Sequence, residues 1–226
     1  MKSEVAIGIL TLDMIPERVR IEEDTPGNLS SDETFDFRLK REIVRGATDG
    51  STWADGGMIS SFVEAAKKLE VRGVKAIAGD CGYMATYQKD IARAVSVPVV
   101  NSSLLLVPLV YRMLAENKRV GILTSAFHHD LAERYFNAAG WSSKDIPIAL
   151  KGFKSEMDLI PTKDLVKLAK ELIQEHPDIG AFVLECSVIP PHARAIQKAT
   201  GLPVFDITTL VKMVHAAVDP PDYGRE

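Results

Sequence analysis

Residues 76–84 read AIAGDCGYM and residues 181–189 read AFVLECSVI. Each is an apolar, strand-like run that ends in an acid followed by a cysteine, and Cys81 and Cys186 are the only cysteines in the chain. Working outward, GILT occurs at 8–11 and again at 121–124, and VSVPVVNSS after the first cysteine answers TGLPVFDIT after the second. Cys81 to Pro98 spans 17 residues, as does Cys186 to Pro203. The halves are offset by 113 residues at GILT but by 105 at the cysteines, so the earlier half carries eight extra residues between these markers. Strict spacing in different surroundings is what an internal duplication leaves.

Short apolar runs alternate with helical periodicity along the whole chain. Strands are expected at Val5–Leu12, 74–78, 97–100, 119–123, 147–150, 180–184 and 203–205, with a further one over Phe35–Ile43. Helices are expected over 58–71, 84–94, 103–116, 128–138, 161–174 and 206–217, with a short one begun by Pro190 and Pro191; residues 13–34, with Pro16, Pro26 and Gly27, read as a long loop able to fold over a cleft. Five-residue strands alternating with helices of ten or more residues predict an α/β protein with parallel sheets and helical crossovers. The duplication makes it two pseudo-symmetric lobes, the first formed by residues 1–102 plus 206–226 and the second by 103–205, facing each other across a cleft. Ligands in such folds bind beyond the carboxyl ends of the strands, the edge to which both cysteines are delivered.

Bulk properties exclude several classes. The 31 acidic and 27 basic side chains are interspersed and give a net charge of −4, so no basic stripe offers a nucleic acid its electrostatic footprint. The longest apolar stretch, near Leu104–Val110, is broken by Pro108 and falls far short of the ~20 residues that span a bilayer. MKSEVAIGIL lacks a signal-peptide core, which predicts a cytoplasmic protein without a membrane partner. Reduced thiols are the default there. No metal site is expected: His128, His129, His176, His192 and His215 are scattered, and there is no CxxC.

A thiol at the start of the helix that follows a parallel strand sits where free N–H groups favour the thiolate. Two such thiols facing one another suit removal of a proton from a carbon on one face and its return on the other. A proton beside a carboxylate leaves reluctantly, so donors are needed where charge develops. Thr11, Ser102, Ser103, Thr124, Ser125, Ser187, Thr208 and Thr209 all fall at or just after strand ends, which fits a small carboxylate-bearing ligand, although serine and threonine also serve as caps. Asn101 and Asp206 hold equivalent places and are either helix caps or, for Asn101, a ligand contact. Asp80 and Glu185 either tune the thiols or form ion pairs behind the site. Tyr83 lines the pocket or its rim, and His192 reaches the cleft or stays on the surface.

These residues carry a resemblance. The duplicated GILT strands, DCG and ECS at strand ends, and PVVNSS are similar to the aspartate/glutamate racemase superfamily, which includes aspartate, glutamate and hydantoin racemases, maleate isomerase and arylmalonate decarboxylase; the resemblance covers about residues 4–217. It implies a cleft between two lobes, chemistry without pyridoxal phosphate, metal or other cofactor, and a homodimer. It also implies Cys81 and Cys186 as alternating acid and base, and an acidic active-site residue near Asp13. Amino-acid racemases usually have asparagine and threonine after the first cysteine, where this chain has Gly82 and Tyr83. Three readings stay open: a racemase or epimerase of a small carboxylate or related carbonyl compound, a maleate-isomerase-like isomerase or decarboxylase, and a non-catalytic small-anion-binding module.

Overall fold

The computed structural model describes residues 3–48, 53–125, 132–153 and 160–224. The first half runs β1 (Ser3–Leu12), α1 (Pro16–Glu23), β2 (Phe37–Val44), α2 (Ile59–Val71), β3 (Ala76–Gly79), a 3₁₀ turn (Gly82–Tyr87), α3 (Gln88–Ala94) and β4 (Val99–Val100). A second 3₁₀ turn (Ser103–Leu106) and α4 (Val107–Met113) then lead into β5 (Arg119–Ser125). The second half continues with α5 (Glu133–Ala138), β6 (Ile148–Phe153), α6 (Thr162–Glu175), β7 (Ile179–Leu184), a 3₁₀ turn (Pro190–His192), α7 (Ala193–Thr200), β8 (Val204–Phe205) and α8 (Ile207–Val218).

The strands form two four-stranded parallel sheets of identical order, β2-β1-β3-β4 and β6-β5-β7-β8. The repeated GILT segments lie in β1 and β5, and the cysteine-bearing segments follow their neighbours β3 and β7. This is the two-lobed α/β architecture expected from the duplication. Pairing is matched in detail: Leu10 lies opposite Gly79, and Leu123 opposite Leu184. One step further, the Asp80 N–H donates to the Leu10 carbonyl at 3.1 Å and the Glu185 N–H donates to the Leu123 carbonyl at 2.8 Å. Equivalent bonds therefore close both sheets at the residue before each cysteine.

Helices α2 and α6 take the places their apolar spacing predicts. Phe62, Ala65, Ala66 and Leu69 make the buried face of α2, and Leu165, Ala169 and Leu172 that of α6. The helix that ends each half crosses over: the Ser103–Leu106 turn packs on β7 and α4 on β5, whereas α8 returns to cover β1 and β3. One buried cluster accordingly runs from Ile7, Ile9 and Ile77 into Val120, Ile122, Ala181 and Val183 of the second sheet. A second cluster, with Leu123, Phe182, Leu184 and Ile196, fills the other face of that sheet.

Three expectations change. Residues 16–23 form α1 rather than loop: Pro16 opens it at a position that needs no N–H, and PERVRIEE carries no apolar stripe by which a helix could be recognised. The helix expected over 84–94 is a 3₁₀ turn followed by α3, and the one over 103–116 begins with a 3₁₀ turn and ends at Met113. The start of the helix expected at 128, with His128 and His129, lies outside the described residues. The strand over 35–43 is present as β2, and its charged residues are accommodated because β2 is an edge strand with a solvent-facing side.

Candidate active site

Both thiols sit where β3 and β7 end, each heading a turn of the same kind. The Met84 N–H donates to the Cys81 carbonyl at 3.0 Å, and the Ile189 N–H donates to the Cys186 carbonyl at 3.3 Å. Neither cysteine is in a disulfide; Cys81 is half-buried and Cys186 is buried.

The two turns are tied to each other across the lobes. Ser187 Oγ donates to the Asp80 carbonyl, beside Cys81. The Tyr83 hydroxyl of the first turn reaches the Ser125 carbonyl at the end of β5 at 3.4 Å, and within the second lobe Ser103 Oγ donates to the Leu184 carbonyl at 2.8 Å. Residues about 105 positions apart in sequence thus meet in one place, as the strand-end argument expects. The place is closed: Ser187 is 7% exposed, Thr124 and Tyr83 4%, Glu185 2% and Asn101 0%.

The acids beside the thiols differ. Asp80 turns its Oδ2 back to its own sheet, accepting from the Leu12 N–H at 3.0 Å. Glu185 has one more methylene and turns toward the other lobe. Its Oε2 accepts from Thr124 Oγ1 at 2.6 Å, and its Oε1 would lie 1.9 Å from a Cβ placed on Gly82. The residue after Cys81 is glycine because the Glu185 carboxylate and backbone carbonyl fill the space of any side chain there.

Around this carboxylate stand Tyr83 and Tyr135, whose rings meet edge to face at 4.7 Å. Burial, reinforced by the charges of Glu185 and Cys81, pushes the Tyr83 phenol far above its ordinary value. Tyr135 moves the same way, chiefly by burial and against the neighbouring Arg134 guanidinium.

Other residues singled out from the sequence are placed as follows. Thr11 is buried and donates to the Glu42 carbonyl at 3.2 Å, within the first sheet. Asp13 Oδ2 accepts from the Gly46 N–H at 2.9 Å, at the turn after β2. Ser102, not Asn101, caps the 3₁₀ turn that follows, accepting from the Leu104 N–H at 3.2 Å. Asp206 does act as the cap expected of it, accepting from the Thr209 N–H at 2.9 Å. The Asn101 side-chain amide, fully buried, meets no hydrogen-bonding partner among the described residues. His192 Nδ1 lies 2.9 Å from Thr162 Oγ1, and burial lowers the pKa of this ring. The 24–34 segment packs its Gly27, at φ +97°, against Pro191 of the turn after Cys186, where a Cβ would come within 2.9 Å of the proline backbone.

Glu185, which the sequence left between tuning a thiol and pairing behind the site, lies against Gly82 of the first thiol turn. Tyr135 is a neighbour that nothing in the sequence marks. Among the described residues no group of three or more His, Cys, Asp or Glu is placed to hold a metal ion, and no helix is long and apolar enough to cross a membrane.

Solved structures share this fold. Unliganded arylmalonate decarboxylase superposes with a TM-score of 0.62 over 98% of this chain and 97% of that one, at 15% identity. An aspartate racemase homologue from Pyrococcus horikoshii gives 0.57 over 94% and 98%, at 16% identity. The chain has the fold of the aspartate/glutamate racemase superfamily. In sequence, a dimethylsulfoniopropionate lyase from Durusdinium sp. clade D is 29% identical over 222 residues, which are 88% of this chain and 72% of that protein. No family model matches the chain.

Proposed function

We propose that this protein is a cofactor-independent lyase that takes an α-proton from a small carboxylate and expels a group from the β-carbon, with dimethylsulfoniopropionate as the candidate substrate. What supports the reading is the meeting of two thiol-bearing turns in one closed, hydroxyl-lined place. Likeness in sequence to a lyase favours elimination over the inversion expected from the thiol pair alone.

In this mechanism one cysteine thiolate, Cys81 or Cys186, removes the proton beside the substrate carboxylate. The C–H electron pair becomes the new carbon–carbon double bond, the bond from the β-carbon to sulfur breaks, and its electrons leave with neutral dimethyl sulfide. Acrylate remains, and the thiol returns its proton to solvent. The second cysteine hydrogen-bonds the reacting face. Negative charge grows on the carboxylate as the proton leaves, so preorganised donors there lower the barrier. Backbone N–H groups of the two turns, the hydroxyls of Ser102 and Ser125 and the buried amide of Asn101 supply them. Closure of the site excludes water, which strengthens each of these interactions.

Supplying dimethylsulfoniopropionate to the purified protein and following dimethyl sulfide in the headspace with acrylate in solution tests the reading. Equal amounts of both, dependent on the thiols, are expected; racemisation of a chiral carboxylate with no volatile product would replace the lyase by the racemase reading.

A further inference from the structure

A cavity of about 660 Å³ lies at the end of the first lobe away from the thiols. Its walls are the chain that enters β2 and the last turns of α8. Phe37, on the first wall, pairs with Ser3 where β1 begins, whereas Cys81 and Cys186 follow the carboxyl ends of their strands. In size the cavity falls within the roughly 300–1,000 Å³ of small-molecule sites. We infer that it binds a small zwitterion, with the carboxylate of the ligand at Lys212 and its cationic group at Glu33 and Asp36.

Opposite charges line this cavity without meeting. Glu33 and Asp36 stand on one wall and Lys212 on the other, all three exposed, and among the described residues none of them is in an ion pair. The Lys212 ammonium stands over the Phe35 ring, 5.9 Å from its centroid. Phe35 stacks on Phe37 at 4.8 Å, and Phe37 on His215 at 3.8 Å, so an apolar column of rings runs beneath both walls. Low-dielectric material under separated charges focuses their field into the space between them. Thr34 adds wall rather than a ligand contact, because its Oγ1 already accepts from the Gly27 N–H at 2.9 Å and donates to the Asn28 carbonyl. A lone anion would meet two carboxylates here, and a lone cation would leave Lys212 unmatched. A molecule with both charges answers all three groups, and with two carboxylates against one ammonium its cationic end contributes more.

The test titrates the full ¹⁵N-labelled chain with 6-aminohexanoate, hexylamine and hexanoate and follows the amide signals by NMR. With the zwitterion, signals of residues 33–37 and 212–216 should move, and those of the thiol turns, 80–84 and 185–189, should stay. Exposed charge pairs contribute modestly, so hexylamine should bind about three- to fivefold more weakly than 6-aminohexanoate, and hexanoate more weakly still. Lys212→Gln should bring 6-aminohexanoate down to the affinity of hexylamine, and Asp36→Asn should weaken both amines about threefold. Both residues are exposed, so the variants keep the core, and matching thermal unfolding checks this. No shift at 33–37 and 212–216 with ligand at about 20 mM overturns the inference, as do shifts centred on the thiol turns, equal binding of the three ligands, or an advantage of the zwitterion that survives Lys212→Gln. The titration needs no turnover: shifts without dimethyl sulfide release overturn the elimination and spare this site, and release without shifts does the reverse.

Discussion

The two thiol turns share a sheet position, a closing backbone bond and a turn geometry, yet the residues flanking the cysteines differ in what they do. Before the first thiol, Asp80 bonds back to Leu12 of its own sheet; before the second, Glu185 likewise bonds back to Thr124 of its own sheet but also fills the space beside Gly82 in the other lobe. After the first thiol there is no side chain, and after the second Ser187 donates across to the Asp80 carbonyl. At the next strand end Asp206 caps α8, whereas Asn101 caps no helix and is buried with its amide unmatched among the described residues. Duplication has set where the thiols lie, and divergence has made the space between them one-sided. A racemase must treat two mirror-image substrates alike and gains from balanced halves. An eliminating enzyme takes its proton from one side, and a lopsided site suits it.

Replacing the cysteines one at a time probes that asymmetry with the largest expected effect. Loss of a general base costs roughly 10²–10⁴-fold in rate. Of Cys81→Ser and Cys186→Ser, one should lose activity on that scale and the other distinctly less, measured as initial rates of dimethyl sulfide release with circular dichroism as the check on folding. Equal collapse of both would point to a symmetrical two-base reaction.

Gly82→Ala should be next in size. Its Cβ would meet Glu185 at its carboxylate and at its backbone carbonyl, the latter at 2.6 Å, and only the side chain can move aside. Overpacking of this kind costs about 1–3 kcal/mol, visible as a lowered urea midpoint. The equivalent change in the second turn, Ser187→Ala, adds no bulk and removes one inter-lobe hydrogen bond, about 1 kcal/mol. A Gly82→Ala protein as stable as wild type would contradict the close contact of Glu185 with Gly82.

Asp206→Ala should cost about 1 kcal/mol through loss of the α8 cap, and the matched Asn101→Ala should leave helix stability unchanged while weakening substrate binding. Thermal unfolding and KM read the two effects separately; a stability loss from Asn101→Ala as large as that from Asp206→Ala would contradict the division of roles.

The smallest effect is in alkali. The raised pKa of Tyr83 means that the unfolded chain gives up this phenolic proton near pH 10 while the folded one keeps it, so stability falls as pH rises above 10. Tyr83→Phe should soften that fall, seen as a shallower loss of urea midpoint above pH 10; an unchanged slope would place the phenol in a more open setting.

The duplication was legible because repeated strands keep their spacing: GILT and the cysteine-bearing ends predicted two parallel sheets and the delivery of both thiols to one edge. The 16–23 helix was not, since it buries no stripe and leaves no period. The direction in which Glu185 turns was not either. Side-chain alternation holds only inside a strand, and one residue past the end of β7 the longer acid is free to turn toward the opposite lobe, where the absent side chain of Gly82 makes room. Tyr135 lies on α5, 52 residues from Tyr83, and only the packing of α5 against the turn after Cys81 brings the rings together. The contact of Gly27 with Pro191 is of the same kind: the sequence offered a loop able to close, and the surface it meets is set by tertiary structure.

The most direct measurement is proton NMR of the wild-type protein with dimethylsulfoniopropionate in deuterium oxide, beside the double Cys81→Ser, Cys186→Ser protein. Acrylate vinyl signals and the dimethyl sulfide methyl signal should grow together in wild type and be absent from the double variant. Exchange of α-protons for deuterium with no vinyl product would contradict elimination and return the two thiols to the exchange chemistry of a racemase.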